Sequence, residues 1–203
     1  MRKTLLVVAI VTLNVGLARA LFIVDTDPGG IKFYNGDANK DVASYVGFVG
    51  GEKSGPMVTV DTVGNVDTGA GYSNIKPIHS GNDYGLLTSI IFTPFDADLF
   101  GDFSFRGQLL EAAKGELKLT VQDNQGNAPQ VFNFSGLGSE SDFARLGIIS
   151  LDGCTIQWVK LESNFKEQKQ NEFSYARAIP DGGTTAALLG SALAAVAFIR
   201  RRA

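Results

Sequence analysis

Four oxygen-bearing side chains alternate along one short segment of the chain. Asn35, Asp37, Asn39 and Asp41 occupy every second position of the run NGDANKD. Calcium takes six to eight oxygen ligands, and acidic loops of this kind supply them, although the spacing does not match an EF-hand. The same residue types also form turns through hydrogen bonds to their own backbone. A structural calcium site and a plain turn are the two interpretations.

A second set of residues has the chemistry of sugar recognition. Tyr72, Asn74 and Tyr84 fall in Gly- and Ser-rich stretches that are predicted to be loops. A sugar ring packs on an exposed aromatic face while planar polar groups bind its hydroxyls. We therefore consider a glycan site at these residues, with ordinary loop packing as the alternative.

The residues needed for common catalytic sites are scarce. His79 is the only histidine and Cys154 the only cysteine, so a Ser-His-Asp triad would have to use His79, and no G-x-S-x-G elbow occurs. One histidine and one cysteine cannot fill a zinc site. A glycosidase-type carboxylate pair is not excluded by spacing. We predict a protein that is not an enzyme and needs no cofactor, with Cys154 as a small buried side chain.

The N-terminus has the three parts of a secretory signal peptide. Arg2 and Lys3 precede an apolar run over residues 5–17, and Ala18 and Ala20 form an A-x-A cleavage site. The run is shorter than the roughly 20 residues of a membrane-spanning helix. We predict a signal helix over residues 1–20, export by Sec-type machinery, and cleavage by signal peptidase after Ala20.

The C-terminus also has three parts. A polar motif at 179–183 is followed by an apolar stretch at 184–199 and by Arg200, Arg201 and Arg202. This stretch predicts a short transmembrane helix, and basic residues beside such a helix stay on the cytoplasmic side, so the preceding domain lies outside. The proline and glycines of the motif keep the backbone accessible beside the membrane.

This tail resembles the PEP-CTERM sorting signals of exosortase substrates, most closely the variant that reads Val-Pro-Asp-Ser-Gly. Pro180, Asp181 and Gly183 match that variant, whereas Ile179 replaces its valine and Gly182 its serine. The resemblance implies that an exosortase-like membrane transpeptidase cleaves near the motif. A plain single-pass tail anchor is the alternative.

The elements that must position these residues are strands. Apolar residues alternate with polar ones at Leu117, Leu119 and Val121, and again around Phe103 and Phe105. Gly-, Asn- and Asp-rich turns separate the strands, and the pair Asp152-Gly153 predicts a tight hairpin. Trp158 is predicted to anchor the core, with a sugar-stacking platform as the alternative. The further predicted strands are Tyr45–Val49, Val58–Val63, Leu87–Thr93, Leu146–Leu151, Ile156–Glu162 and Glu172–Tyr175.

We predict one all-β domain over residues 21–176, an antiparallel β-sandwich or jelly roll, with a barrel as second choice. The signal peptide occupies 1–20 and the sorting tail 177–203. The body resembles the galactose-binding-like β-sandwich found on many PEP-CTERM proteins. The segments that carry this resemblance are GNDYGLLTSIIFTPFDADLF, FSFRGQLL, TVQDNQGN, DFARLGIISLDGCTIQWVKL and FKEQKQNEFSYA.

Charge and targeting together limit the function. Residues 21–180 hold 12 Lys and Arg against 20 Asp and Glu, a net charge near −8, which argues against nucleic acid as a partner. We predict an exported, non-catalytic protein that passes through the inner membrane to the cell surface or the extracellular matrix. The alternative is a carbohydrate-binding module for exopolysaccharide or another glycan.

Overall fold

The regular structure that can be described is entirely β. A computed structural model describes residues 10–11, 21–26, 29–80, 83–84, 86–110, 115–137, 143–151 and 153–176. Within these ranges no helix is long and apolar enough to span a membrane. The predicted helix at 184–199 lies outside them, as does the predicted signal helix except for Ile10–Val11, which form a strand. The all-β prediction is confirmed.

Fourteen strands are described. Their bounds are β1 Ile10–Val11, β2 Phe22–Asp25, β3 Ile31–Tyr34, β4 Val42–Val49, β5 Met57–Thr68, β6 Asn74–Pro77, β7 His79–Ser80, β8 Asp83–Tyr84, β9 Leu87–Pro94, β10 Phe100–Leu109, β11 Leu117–Asp123, β12 Gln130–Phe134, β13 Leu146–Ser150 and β14 Ile156–Tyr175.

Burial follows the predicted alternation. Leu117, Leu119 and Val121 of β11 are buried and Lys118 is exposed, although Thr120 is buried as well. The alternation also holds in β12, where Phe132 and Phe134 flank an exposed Asn133. Burying a large apolar side chain stabilises the fold by about 1.5–3 kcal/mol, so this pattern fixes which face of each strand turns inward.

Twelve of the strands form one antiparallel sheet, and β14 is its organising element. The first half of β14 pairs with β11 and β9, and its second half with β10, β3 and β6. The succession β9, β5, β4, β3 leads from the first half of β14 back to the second half. The sheet therefore closes on itself through a single strand. β12 and β2 lie on the outer sides of β11 and β13.

The core is a cluster of phenylalanines between two parts of this sheet. The ring centroids of Phe92 on β9 and Phe103 on β10 are 5.2 Å apart, although the described pairings include no ladder between these strands. Phe173 on β14 lies 5.0 Å from Phe103 and 5.0 Å from Phe100. The sheet thus packs face to face against itself. The finer assignment to a jelly roll stays a prediction.

The predicted hairpin at Asp152-Gly153 is wrong. Gly153 does adopt a positive φ of 70°, as such a turn requires. However, β13 pairs with β10 and β2, whereas the first half of β14 has β11 and β9 on its two sides. Because both edges of that half are occupied, the chain crosses at Gly153 to another part of the sheet.

Two predictions about single side chains have opposite outcomes. Cys154 is 2% exposed, which confirms that it is a buried thiol. Trp158 is only half-buried, so its prediction as a core anchor is wrong. Val159 and Leu161 take the inward positions, and a register shift opposite Gln122 turns Ile156 inward as well.

Candidate functional site

A buried amide fixes the segment 69–74, which contains two of the predicted glycan residues. Asn35 is fully buried, and its Nδ2 donates to the backbone oxygens of Gly69 at 3.1 Å and Asn74 at 3.0 Å. The hydroxyl of Tyr45 donates to Asn35 Oδ1 at 2.9 Å. Every polar atom of the Asn35 side chain is therefore used inside the fold, which is the condition for burying it.

A second buried network holds the same segment from β14. Asn171 donates through Nδ2 to Ser73 Oγ and, at 2.9 Å, to Gln168 Oε1. The backbone N–H of Gln170, a residue with a φ of +54°, donates to the Ser73 carbonyl at 3.0 Å. Ser73 is thus fixed by both its backbone and its side chain. The neighbouring Tyr72 is positioned by a rigid support.

Tyr72 is the centre of a polar and aromatic cluster, which we call the Tyr72 platform: Lys32, Tyr34, Tyr72, Arg145 and Glu172. The Tyr72 hydroxyl donates to Glu172 Oε1 at 2.7 Å, and its ring centroid lies 6.1 Å from that of Tyr34. Lys32 Nζ lies 5.1 Å from the Tyr72 ring centroid, within cation–π range. Arg145 binds Glu172 with both terminal nitrogens, Nη2 at 3.0 Å from Oε1.

Strand register explains why these residues meet. Phe33 and Phe173 point into the core, so their neighbours Lys32 and Glu172 point to the opposite face. Lys32 and Glu172 are also direct cross-strand partners on β3 and β14. The platform therefore lies on the outer face of the sheet, above the phenylalanine core.

The ionisable side chains of the platform bind one another in a fixed arrangement. Glu172 is 5% exposed, so its carboxylate depends on Arg145 and Tyr72 to replace lost water. Burial, followed by the hydrogen bond to Glu172, raises the pKa of Tyr72 above its usual value. The phenol thus stays neutral and acts as a donor, while both oxygens of Glu172 act as acceptors.

The remaining predicted calcium residues make loop contacts. Asp37 forms an ion pair with Lys53 at the surface. The backbone N–H of Asn39 donates to Thr68 Oγ1 at 3.0 Å, and Asp41 Oδ1 accepts from Asn65 Nδ2 at 2.7 Å. Within the described ranges, no group of three or more Asp, Glu, His or Cys side chains is arranged to hold a metal ion. These contacts join the segment to Lys53 and to β5, and both the calcium interpretation and the turn interpretation stay predictions.

The predicted glycan residues have different surroundings. Tyr72 is half-buried in the platform. Asn74 begins β6, and its Oδ1 is buried without a hydrogen-bond partner among the described atoms. The backbone of Tyr84 pairs with that of His79, but the Tyr84 side chain lies outside the described structure.

Sequence reasoning missed four platform residues: Lys32, Tyr34, Arg145 and Glu172. Glu172 was expected at the start of a strand, and its charge is typical of a solvent-facing position. Its partner Tyr72 lies 100 residues earlier. The only local signal was that Lys32 and Tyr34 flank the apolar Phe33, as outward positions do.

The two processing sites lie outside the described residues, and comparison with known proteins bears on the C-terminal one. Ala18, Ala20 and the segment 177–203 have no described structure. No curated protein and no solved structure matches the chain. A family model described as the VPDSG-CTERM motif matches residues 178–203. This chain therefore carries a VPDSG-CTERM sorting tail, a variant of the PEP-CTERM type, and is an exported protein with membrane-associated sorting.

Proposed function

We propose that this protein is a non-catalytic component of the cell surface or extracellular matrix. The observation that carries the proposal is the sorting tail at 178–203. In this scheme signal peptidase cleaves after Ala20, the domain crosses the inner membrane, and the arginines keep the tail in place. An exosortase-like enzyme then cleaves near Pro180–Gly183 and delivers the domain.

The contacts of the Tyr72 platform support a binding or structural role. Glu172 is the most buried charged residue of the platform, and Arg145 and Tyr72 bind both of its carboxylate oxygens. A general acid or base must exchange protons with a substrate, and a carboxylate held in this way is poorly placed to do so. The same contacts hold the side chains of this surface in place, which suits a protein that binds a ligand without catalysing a reaction.

The sorting step can be tested by the mass and location of the full chain. In a bacterium that processes such tails, the wild-type protein should lose residues 1–20 and the apolar tail, and leave the inner membrane. Asp181→Ala should keep the tail and remain in the membrane fraction, whereas Thr184→Ser, just outside the motif, should behave as wild type. Identical masses and distributions for wild type and Asp181→Ala would refute sorting through this motif.

The second candidate function is carbohydrate binding at the Tyr72 platform. Two tyrosine rings and the Lys32 ammonium lie together on one outer face of the sheet. Aromatic faces beside polar groups suit a sugar ring. Lys32 and Arg145 outnumber the single carboxylate of the platform, although the protein is acidic. The favoured ligand is thus a polysaccharide with carboxylate-bearing sugars.

Affinity electrophoresis of the exported protein tests this candidate. An alginate-type uronate polymer should retard it, and a neutral glucan of similar length should do so less. Tyr34→Ala, which spares the Tyr72–Glu172 hydrogen bond, should weaken uronate binding about tenfold, as expected for one aromatic contact. Tyr175→Ala removes a half-exposed tyrosine outside the platform and should leave binding unchanged. Equal losses in both variants, or no retardation of the wild type, would count against a glycan site.

A further inference from the structure

The first residues of the β body are held by one side chain from a distant strand. The backbone nitrogens of Leu21 and Phe22 both donate to Gln130 Oε1, each at 2.9 Å. The Leu21 carbonyl also accepts from the Leu151 N–H at 2.7 Å. Leu21 is thus tied to β12 through its nitrogen and to the end of β13 through its oxygen.

The position of these contacts in the sheet makes them more than a local turn. β2 pairs with β13 on one side and is an end of the described strand order, whereas β12 lies beyond β11 toward another end. Gln130 begins β12 and reaches across to the start of β2. Its carboxamide therefore joins two strands that no ladder connects in the described sheet.

Leu21 is also the residue that the predicted cleavage would leave as the new N-terminus. Signal peptidase adds water across the Ala20–Leu21 peptide bond, breaking its C–N bond and leaving a carboxylate on Ala20 and an ammonium group on Leu21. The nitrogen already bound by Gln130 thereby gains two protons and a positive charge. Hydrogen bonds from a charged donor are roughly twice as strong as neutral ones.

We propose that Gln130 is the receptor for the mature N-terminus: its Oε1 binds the Leu21 ammonium and locks β2 into the sheet once the signal peptide has been removed. The proposal rests on cleavage after Ala20, which is part of the proposed function. A glutamine suits the task because its oxygen accepts two hydrogen bonds at any physiological pH and the neighbouring Phe22 N–H takes the second. Processing and completion of the fold are thereby linked.

A double-mutant cycle of melting temperatures, measured on the full, exported chain, tests the contact between Gln130 and the Leu21 ammonium. One variant carries an extra alanine between Ala20 and Leu21, so that the same cleavage leaves the ammonium one residue away from Gln130. The second is Gln130→Met, which keeps the shape of the side chain but removes the acceptor, and the third combines both changes. Gln125→Met, at an exposed turn, is the control and should melt as wild type does.

If Gln130 binds the Leu21 ammonium, the insertion and Gln130→Met disturb the same contact, so their effects on Tm should not add. The insertion should lower Tm by roughly 3 °C and Gln130→Met by roughly 5 °C, and the combined variant should melt no lower than Gln130→Met alone. Gln130→Glu adds a carboxylate opposite the ammonium, so it should melt at or above the wild-type Tm, and the insertion should abolish any gain. Additive decreases in Tm, or an insertion that leaves Tm unchanged, would refute the proposal that Gln130 binds the mature N-terminus.

Intact mass separates this inference from the function on which it rests. A mass that places the N-terminus elsewhere than Leu21 overturns the processing step and the lock with it. A correct N-terminus with additive melting shifts overturns the lock alone, and leaves export and sorting as proposed.

Discussion

Replacing Phe173 with alanine should lower the free energy of unfolding by about 3–5 kcal/mol. Phe173 is fully buried, and its ring meets Phe33, Phe92, Phe100 and Phe103, which come from three other strands. Removing it leaves a cavity where the parts of the sheet pack together, and close packing around it prevents full collapse. Urea unfolding followed by tryptophan fluorescence measures the loss.

Phe95→Ala is the matched control for this change. It removes the same number of atoms from a side chain that is 62% exposed, so the free energy of unfolding should change by no more than about 0.5 kcal/mol. If Phe173→Ala and Phe95→Ala lowered the free energy of unfolding by similar amounts, packing in the phenylalanine cluster would not be a main source of stability.

Gly64→Ala should cost roughly 3 kcal/mol of stability for two separate reasons. Gly64 has a φ of +96°, a conformation that strains any residue with a Cβ. A Cβ built on it would also lie 2.0 Å from the carbonyl oxygen of Leu86, and a backbone atom cannot move aside cheaply. Thermal or urea unfolding of the variant gives the sum of both costs.

Gly126→Ala separates the two contributions. Gly126 has a similar φ of +78°, but a Cβ there would meet no atom within 4 Å. Its substitution should therefore cost only the conformational part, about 1 kcal/mol. If the two variants lost the same stability, the contact between Gly64 and Leu86 would have relaxed and only the backbone strain would remain.

Most strands were predictable because their side chains alternate. Leu117, Leu119 and Val121 were assigned to an inward face from the sequence, and all three are buried. Phe103 and Phe105 on β10 are buried as predicted, but Ser104 between them is fully buried as well, so both faces of the strand are covered there. Period two is a local property, so a single sequence is enough to show it.

The continuity of β14 was not predictable, because that strand breaks the rule. The sequence suggested two separate short strands, Ile156–Glu162 and Glu172–Tyr175. In the structure, register shifts between Glu162 and Phe165 and between Lys169 and Glu172 interrupt the alternation, and Gln170 takes a positive φ at the second. Irregularities of this kind change the facing of side chains without ending the strand.

The site shows the same division between local and distant information. The sorting tail was predictable because its motif is contiguous in sequence, and the family match confirms it. Tyr72 was identified as a candidate from its residue type alone. Its contact with Glu172 and the contact of Gln130 with Leu21 join residues about 100 positions apart, and nothing in the local pattern indicates such pairs.

Strand β14, which pairs with five other strands, also determines how the domain responds to mechanical force. It ends at Tyr175, three residues before the matched tail begins, so tension on a membrane-held tail reaches this strand first. Neighbouring strands bond to β14 on both sides and along both halves. A pull on the C-terminus therefore loads many hydrogen bonds at once instead of peeling an outer strand. We expect the domain to yield as a whole, and only at high force, while it is tethered.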